Sequence, residues 1–386
     1  MPTGAVRNVF CIEDMRHAAR AYLPRSVFDF VDGGSEREIT LRANTGDFEQ
    51  YFFRPRALVD VGVADQSTTL LGETIASPLL IAPMGLVGIT RSEGDLAMAR
   101  AAQAKGIPHV LSTTASHSIE QVAAVSNGLR WFQLYFFRDR GLARGLIERA
   151  RNHGYRALVL TVDLQRGGKR EKDLRNGFTV PPRITAANAL NMLAHPVWLA
   201  RMAPRLKQIT MGNIAGMDGA GSTDVMALSA FMNTQLDPSV NWDDLAWLRG
   251  EWDLPLLVKG ILTGEDARRA VEAGADGVIV SNHGGRQLDG APSTISVLRE
   301  VVEAVDGAGE VILDSGVRRG ADVVKALARG AKACAIGKSA LYGLAAGGQG
   351  GVEQVSEILM REIDIALAMT GNPRAAEVGM ETLRLG

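Results

Sequence analysis

Hydrophobic residues in this chain gather into short continuous runs separated by stretches of helical periodicity. The runs are PLLIAP (78–83), PHVLS (108–112), WFQLY (131–135), ALVLTVD (157–163), LPLLVKG (254–260), GVIVS (277–281), EVILD (310–314) and ACAIG (333–337). Each is too short for a buried helix and too continuously apolar for a strand with one wet face. Parallel strands covered on both faces read this way. Between them, SEGDLAMARAAQAKG predicts a helix capped by Ser92 and ended at Gly106; SIEQVAAVS predicts one opening at Ser118, and TGEDARRAVEAG one from Thr263 to Gly274. Most strand-to-strand spacings are about 23 to 33 residues, the length of one βα unit.

Eight such units predict an α/β fold, a closed (β/α)8 TIM barrel, with residues 1–386 forming a single domain. An open doubly wound sheet is the alternative, but no clear switch point marks one. Residues 1–75 read as an N-terminal extension of helices and a β segment that closes the bottom of the barrel. GVEQVSEILMREIDIALAMTG reads as a C-terminal amphipathic helix. One spacing is anomalous: about 175–240 forms an insertion on the fourth βα loop. From Leu174 to Met217 it has no acidic residue, while Arg175, Arg183, Arg201, Arg205 and Lys207 interleave with apolar Leu193, Trp198, Leu199 and Met202. Such a segment can be a lid, a patch that touches an anionic membrane surface, or a solvated excursion.

Composition narrows the function classes. The formal net charge of -1 gives no general affinity for nucleic acid. The two cysteines, Cys11 and Cys334, read as reduced packing residues, which points to a reducing compartment. With no apolar stretch of signal-peptide length near Met1 and no run of about 18 apolar residues, a cytoplasmic protein is expected, with peripheral membrane contact left to the insertion.

Chemistry gathers where the apolar runs end. A barrel carries its active site at the carboxyl ends of its strands, and there stand Ser112, Gln133, Tyr135, Thr161, Asp163, Lys259, Ser281, His283, Asp314 and Lys338. In SNHGGRQLDG (281–290), His283 is a base for near-neutral pH, beside two bulk-free glycines and the fixed cation Arg286. After the last two strands, Gly316, Arg318 and Gly320 lead into a helix, and Gly337 precedes Lys338. Glycine turns, helix N-termini and cations at this place suit a phosphorylated cofactor. Lys259 reads either as a Schiff-base nucleophile or as a cation beside a cofactor ring; Asp163 either orients a histidine or caps a loop. Metal-ligand spacings, a Walker motif and a GxGxxG after a strand are missing.

SNHGGRQLDG, supported by WFQLY, LTVD, LVKG, DSGVRRG and FRPRAL, resembles the FMN-dependent 2-hydroxy-acid dehydrogenase and oxidase family, which includes glycolate oxidase, L-lactate dehydrogenase and mandelate dehydrogenase. The resemblance spans nearly the whole chain and implies FMN-dependent oxidation of an L-2-hydroxy acid, lactate- to mandelate-sized, to the 2-oxo acid. It implies His283 as the base, Asp163 as its hydrogen-bond partner, Arg170 and Arg286 on the substrate carboxylate, and Tyr135 near the substrate oxygen. For FMN it implies Pro83, Met84, Gly85, Ser112, Gln133, Thr161 and Lys259 at the ring, Asp314, Gly316, Arg318, Gly337 and Lys338 at the ribityl chain and phosphate, and Ser281 as a further cofactor-binding residue. A homotetramer and an electron acceptor (oxygen, a quinone or a cytochrome) belong to the same expectation.

Three positions depart from the family's pattern. Phe30 replaces a tyrosine that helps bind the carboxylate, Lys338 replaces a phosphate-binding arginine, and Thr114 stands where glycolate oxidase has a tryptophan. The last change, with Gly85 beside the flavin, leaves room for a larger substrate and is most similar to mandelate dehydrogenase. Two other readings stay open: a flavin-binding protein that recognises hydroxy or oxo acids with weak turnover, and another FMN barrel such as an isomerase or an IMP-dehydrogenase-like enzyme. The latter needs a loop cysteine, whereas Cys334 lies in a predicted strand.

Overall fold

The computed structural model describes residues 6–177, 186–217, 220 and 222–385. Among these, eight parallel strands close into a barrel: β1 (Leu79–Ile81), β2 (His109–Ser112), β3 (Arg130–Leu134), β4 (Ala157–Thr161), β5 (Leu256–Ile261), β6 (Gly277–Val280), β7 (Glu310–Asp314) and β8 (Ala333–Ile336). Neighbours follow chain order, and β8 pairs with β1 to close the ring. Every predicted run holds a strand, with ends shifted by at most two residues.

Alternation explains why the runs are apolar throughout. Leu80, Val110, Trp131, Val159, Leu257, Ile279 and Ile312 point into one buried cluster, the barrel interior. Their neighbours Ile81, Leu111, Phe132, Leu158, Leu160, Val258, Val278 and Leu313 join the larger cluster under the outer helices. Both faces are dry, and each such side chain contributes about 1.5–3 kcal/mol through burial.

Local signals set most helix ends. Ser118 and Gln121 form a reciprocal cap, Thr263 accepts from the Asp266 N–H, and Gly106 ends its helix at φ +63°. Ser92 does not cap: its helix is Gly94–Lys105 behind Glu93, and the Ser92 hydroxyl accepts from Arg205 at 2.5 Å instead. The C-terminal helix is Gln349–Thr370, ended by Gly371 at φ +68°.

The N-terminal extension divides. A hairpin of Thr68–Leu70 and Glu73–Ile75 seals the bottom, with Leu70 and Ile75 packed into the barrel interior. The helices Arg25–Asp32 and Ile39–Gly46 are not at that end: Phe30, Leu41 and Asn44 line the cavity at the carboxyl rim. Hydrogen-bonding chemistry decides this, because Asp289 accepts from the Thr40 and Arg37 amides while Asn44 and Asn282 exchange bonds of 2.8 and 2.7 Å. The insertion holds helices Ala186–Leu193, Pro196–Met202 and Val225–Gln235. Arg183 and the side chain of Lys207 lie outside the described residues.

Candidate active site

The rim encloses a cavity of about 600 Å³ whose walls include Tyr135, Arg170, Lys259, His283, Arg286 and Arg318. Its centre is the loop after β6. His283, Gly284 and Gly285 are left-handed in succession, at φ 58°, 67° and 70°. A non-glycine residue there costs roughly 1–2 kcal/mol, and hydroxyls hold the turn. Ser281 Oγ accepts from the His283 N–H at 3.0 Å, and Ser315 Oγ accepts from the Gly284 N–H at 2.9 Å. Gly285 is required by packing as well, since a Cβ would stand 2.6 Å from the Leu41 nitrogen. Much of SNHGGRQLDG therefore docks the N-terminal helices, a role the motif's chemistry hid.

His283 Nδ1 lies 2.8 Å from Asp163 Oδ1. Burial pushes the Asp163 carboxyl up, but the charges of His283 and Lys259 outweigh it and hold the group below its ordinary value. Lys259 is 3% exposed. Its Nζ donates to Ser281 Oγ at 2.8 Å and stands 3.2 Å from Asp314 Oδ2. Burial opposes its charge, and Asp314 and Asp163 more than compensate, leaving its pKa raised. Lys259 thus belongs to an ionic cluster, which is the cation reading and not that of a depressed, nucleophilic amine. Burial, assisted by Asp163, raises the Tyr135 phenol, which stays protonated at any physiological pH.

Arg170 and Arg286 flank Phe30, their guanidinium carbons 5.6 and 5.1 Å from its ring centre. Arg286 donates to the Phe30 and Gly33 carbonyls at 2.6 and 3.2 Å. Burial, then the repulsion of Arg170, lowers it to about 10. Arg170 Nε sits 3.4 Å from Asp173, a cavity-lining carboxylate raised by burial. Sequence reasoning missed Asp173; its three-residue spacing from Arg170 on one helical turn was the available signal. It also missed Met211, Met226, Met232 and Leu236, which give the cavity an apolar wall.

A cofactor with hydrogen-bonding edges fits the floor. Ser112 and Gln133 are register partners on β2 and β3, and Ser112 Oγ donates to Gln133 Oε1 at 3.1 Å. That leaves Gln133 Nε2 buried without a partner, as is Thr161 Oγ1 on β4. Unpaired buried polar atoms cost about 1–3 kcal/mol each, and a ring carrying carbonyl and N–H groups would satisfy them. Pro83, Met84 and Gly85 line the cavity; a Cβ on Gly85 would stand 2.2 Å from Thr114 Oγ1. Ser281 stays beneath, between Lys259 and Asp314, whose Oδ2 accepts from its hydroxyl at 2.6 Å.

Asp314, Gly316, Arg318, Gly337 and Lys338, expected at the ribityl chain and phosphate of a cofactor, all line the cavity. The helix after β7 does not offer its first amides as expected. Those of Arg318 and Arg319 donate to Asp322 and that of Gly320 to Glu362. Lys338 is buried, and burial together with Arg286 and Arg318 holds its ammonium well below the ordinary lysine range. Cys334 is fully buried inside β8 and makes no catalytic loop.

These features agree with what the chain is similar to. The model of a family described as FMN-dependent dehydrogenase matches residues 19–385. An L-lactate oxidase from Nostoc sp. is 43% identical over 382 residues, 98% of either chain. An L-lactate dehydrogenase from Vibrio cholerae is 41% identical, covering 96% of this chain and 97% of that one. The solved structure of a monotopic membrane protein, (S)-mandelate dehydrogenase, superimposes with a TM-score of 0.94 at 42% identity, covering 98% of this chain and 100% of that one. With its barrel, its cofactor floor and its histidine–carboxylate pair at one rim, the chain belongs to the FMN-dependent dehydrogenase family, as an oxidoreductase of the 2-hydroxy-acid dehydrogenase and oxidase kind.

Proposed function

We infer that the chain oxidises an L-2-hydroxy acid of lactate to mandelate size to the 2-oxo acid. The observation that carries this reading is the 2.8 Å contact of His283 with Asp163 at a cavity shared with two guanidiniums. Nδ1 is engaged by the carboxylate, so Nε2 is the nitrogen left to take a substrate proton, and Asp163 stabilises the imidazolium that results. Arg170 and Arg286 bind the carboxylate; Tyr135, kept protonated, donates to the substrate oxygen. FMN, when bound, supplies the two-electron acceptor. Gln133, Thr161 and Ser112 would hold its ring edges, Lys259 would place a buried positive charge beside it, and Arg318 with the Gly337 turn would meet its phosphate. Val225, Met226, Ser229 and Met232 of helix Val225–Gln235, with Leu236 just after it, line the cavity, which favours substrates with an apolar substituent.

Anaerobic mixing with L-mandelate and L-lactate tests this. Wild type is expected to lose its flavin absorbance with at least one of them, and His283→Ala to do so at least about a hundredfold more slowly. A spectral shift without bleaching in wild type would instead identify a binding protein. Mixing the reduced enzyme with oxygen and with a quinone identifies the acceptor. A specific observation favours a membrane-bound quinone: Leu190, Leu193 and Val197 of the insertion are 68%, 64% and 57% exposed, next to Arg201 and Arg205. No helix among the described residues is long and apolar enough to cross a membrane, so such contact would be peripheral.

A further inference from the structure

Lys338 opens helix Lys338–Gly347 behind β8, and its side chain turns away from solvent. Nζ donates to three carbonyl oxygens: Asp32 at 2.9 Å, Gly33 at 3.0 Å and Gly284 at 3.3 Å. An ammonium has three N–H donors, and all are engaged. Two of the acceptors end helix Arg25–Asp32, where exposed carbonyls carry the negative pole of the helix. The third belongs to the residue after His283. Arg286 donates to the Gly33 carbonyl as well, so one oxygen joins the lysine to the carboxylate-binding arginine. The Asp32 carboxylate is in turn held by Arg16 at 2.7 and 2.8 Å and by the Tyr342 hydroxyl at 2.6 Å, and Tyr342 lies on the helix that Lys338 opens.

We propose that Lys338 is a positioning residue of the substrate site, a strut that ties the last turn of helix Arg25–Asp32 to the loop after β6 and so places Arg286 and His283, and that it is not a ligand of the cofactor phosphate. This rests on the functional reading above. An arginine, with five donors in a planar fork, can meet carbonyls and a phosphate together, whereas this lysine has three donors and the carbonyls of Asp32, Gly33 and Gly284 take all of them. Here the geometry has chosen the carbonyls. Arg318 lines the same cavity, spends one N–H on the Val317 carbonyl at 2.8 Å, and carries the phosphate charge.

Two variants of the holoenzyme separate the roles. Lys338→Met removes all donors, while Lys338→Gln removes the charge but keeps two N–H groups for the carbonyls. Oxalate, a dicarboxylate mimic of the substrate, is titrated against the flavin spectrum; FMN and riboflavin are titrated against the apoprotein by fluorescence quenching. A strut predicts that Lys338→Met weakens oxalate about tenfold or more while Lys338→Gln stays within about threefold of wild type. The preference for FMN over riboflavin should stay within about threefold in both. Collapse of that preference by about tenfold in either variant, with oxalate binding unchanged, would overturn the proposal. Should Lys338→Met fail to fold, the flavin preference of Lys338→Gln decides. If wild type itself ignores oxalate, the fault lies in the functional reading, and the flavin preference still assigns the lysine.

Discussion

Phe30 lies between two guanidiniums where its relatives' pattern has a phenol, and the exchange is chemical more than steric. The ring face still attracts both cations, by roughly 0.5–1 kcal/mol each at partly exposed sites. The missing hydroxyl removes a hydrogen bond to a charged group, ordinarily about 1.5–3 kcal/mol. Phe30→Tyr is therefore expected to tighten oxalate binding about tenfold, read from the flavin spectrum; an unchanged affinity would mean the new hydroxyl points elsewhere. The ion-paired residues show why single positions mislead. Lys259 could have been a nucleophile from its sequence, and only its 3.2 Å approach to Asp314 makes it a fixed cation.

Elements are held by what covers them. The Thr68–Ile75 hairpin works as a plug: Leu70 is 0% exposed and Ile75 is 2% exposed, both against the lower barrel interior, while the Leu71 N–H donates to Glu310 on β7 at 2.9 Å. Removing three carbons from Leu70 leaves a cavity that surrounding strands cannot fill. Leu70→Ala should destabilise the protein by about 2–5 kcal/mol in chemical denaturation, with little change in oxalate affinity, because the plug sits at the end opposite the site. Helix Pro196–Met202 illustrates the other case. Its Trp198 and Met202 are buried, with the indole N–H donating to the Ile89 carbonyl at 3.2 Å, while Val197 faces solvent. Replacing Leu190, Leu193 and Val197 by serine should cut co-sedimentation with anionic vesicles about tenfold and leave turnover with a soluble acceptor intact. Equal sedimentation of both proteins would remove the membrane reading.

Across the whole molecule, the N-terminal helices, the β6 loop and the last helices are fastened by buried charge. Asp32 is the clearest bond. Burial alone would raise it, but Arg16 and Tyr342 prevail and bring it down to about 2. Its unfolded value is about 3.9, so its ionised form stabilises the fold by about 2 kcal/mol above pH 5 or so. The contribution is lost as pH falls through the folded value. Asp32→Asn should therefore cost about 2 kcal/mol at pH 7 and much less near pH 2, measured by denaturation of both proteins at each pH. A cost independent of pH would assign the loss to packing.

The chain's own pattern determined the barrel, because a strand buried on two faces must be apolar at every position and the βα spacing then counts the units. It also marked the polar strand ends, since charged groups beside such runs have few structural uses. The tertiary structure alone decided where the first helices go and that the Gly320 amide after β7 turns to Glu362. Those outcomes depend on donors and acceptors that meet across 42 to 249 positions of chain, and no local periodicity carries that information.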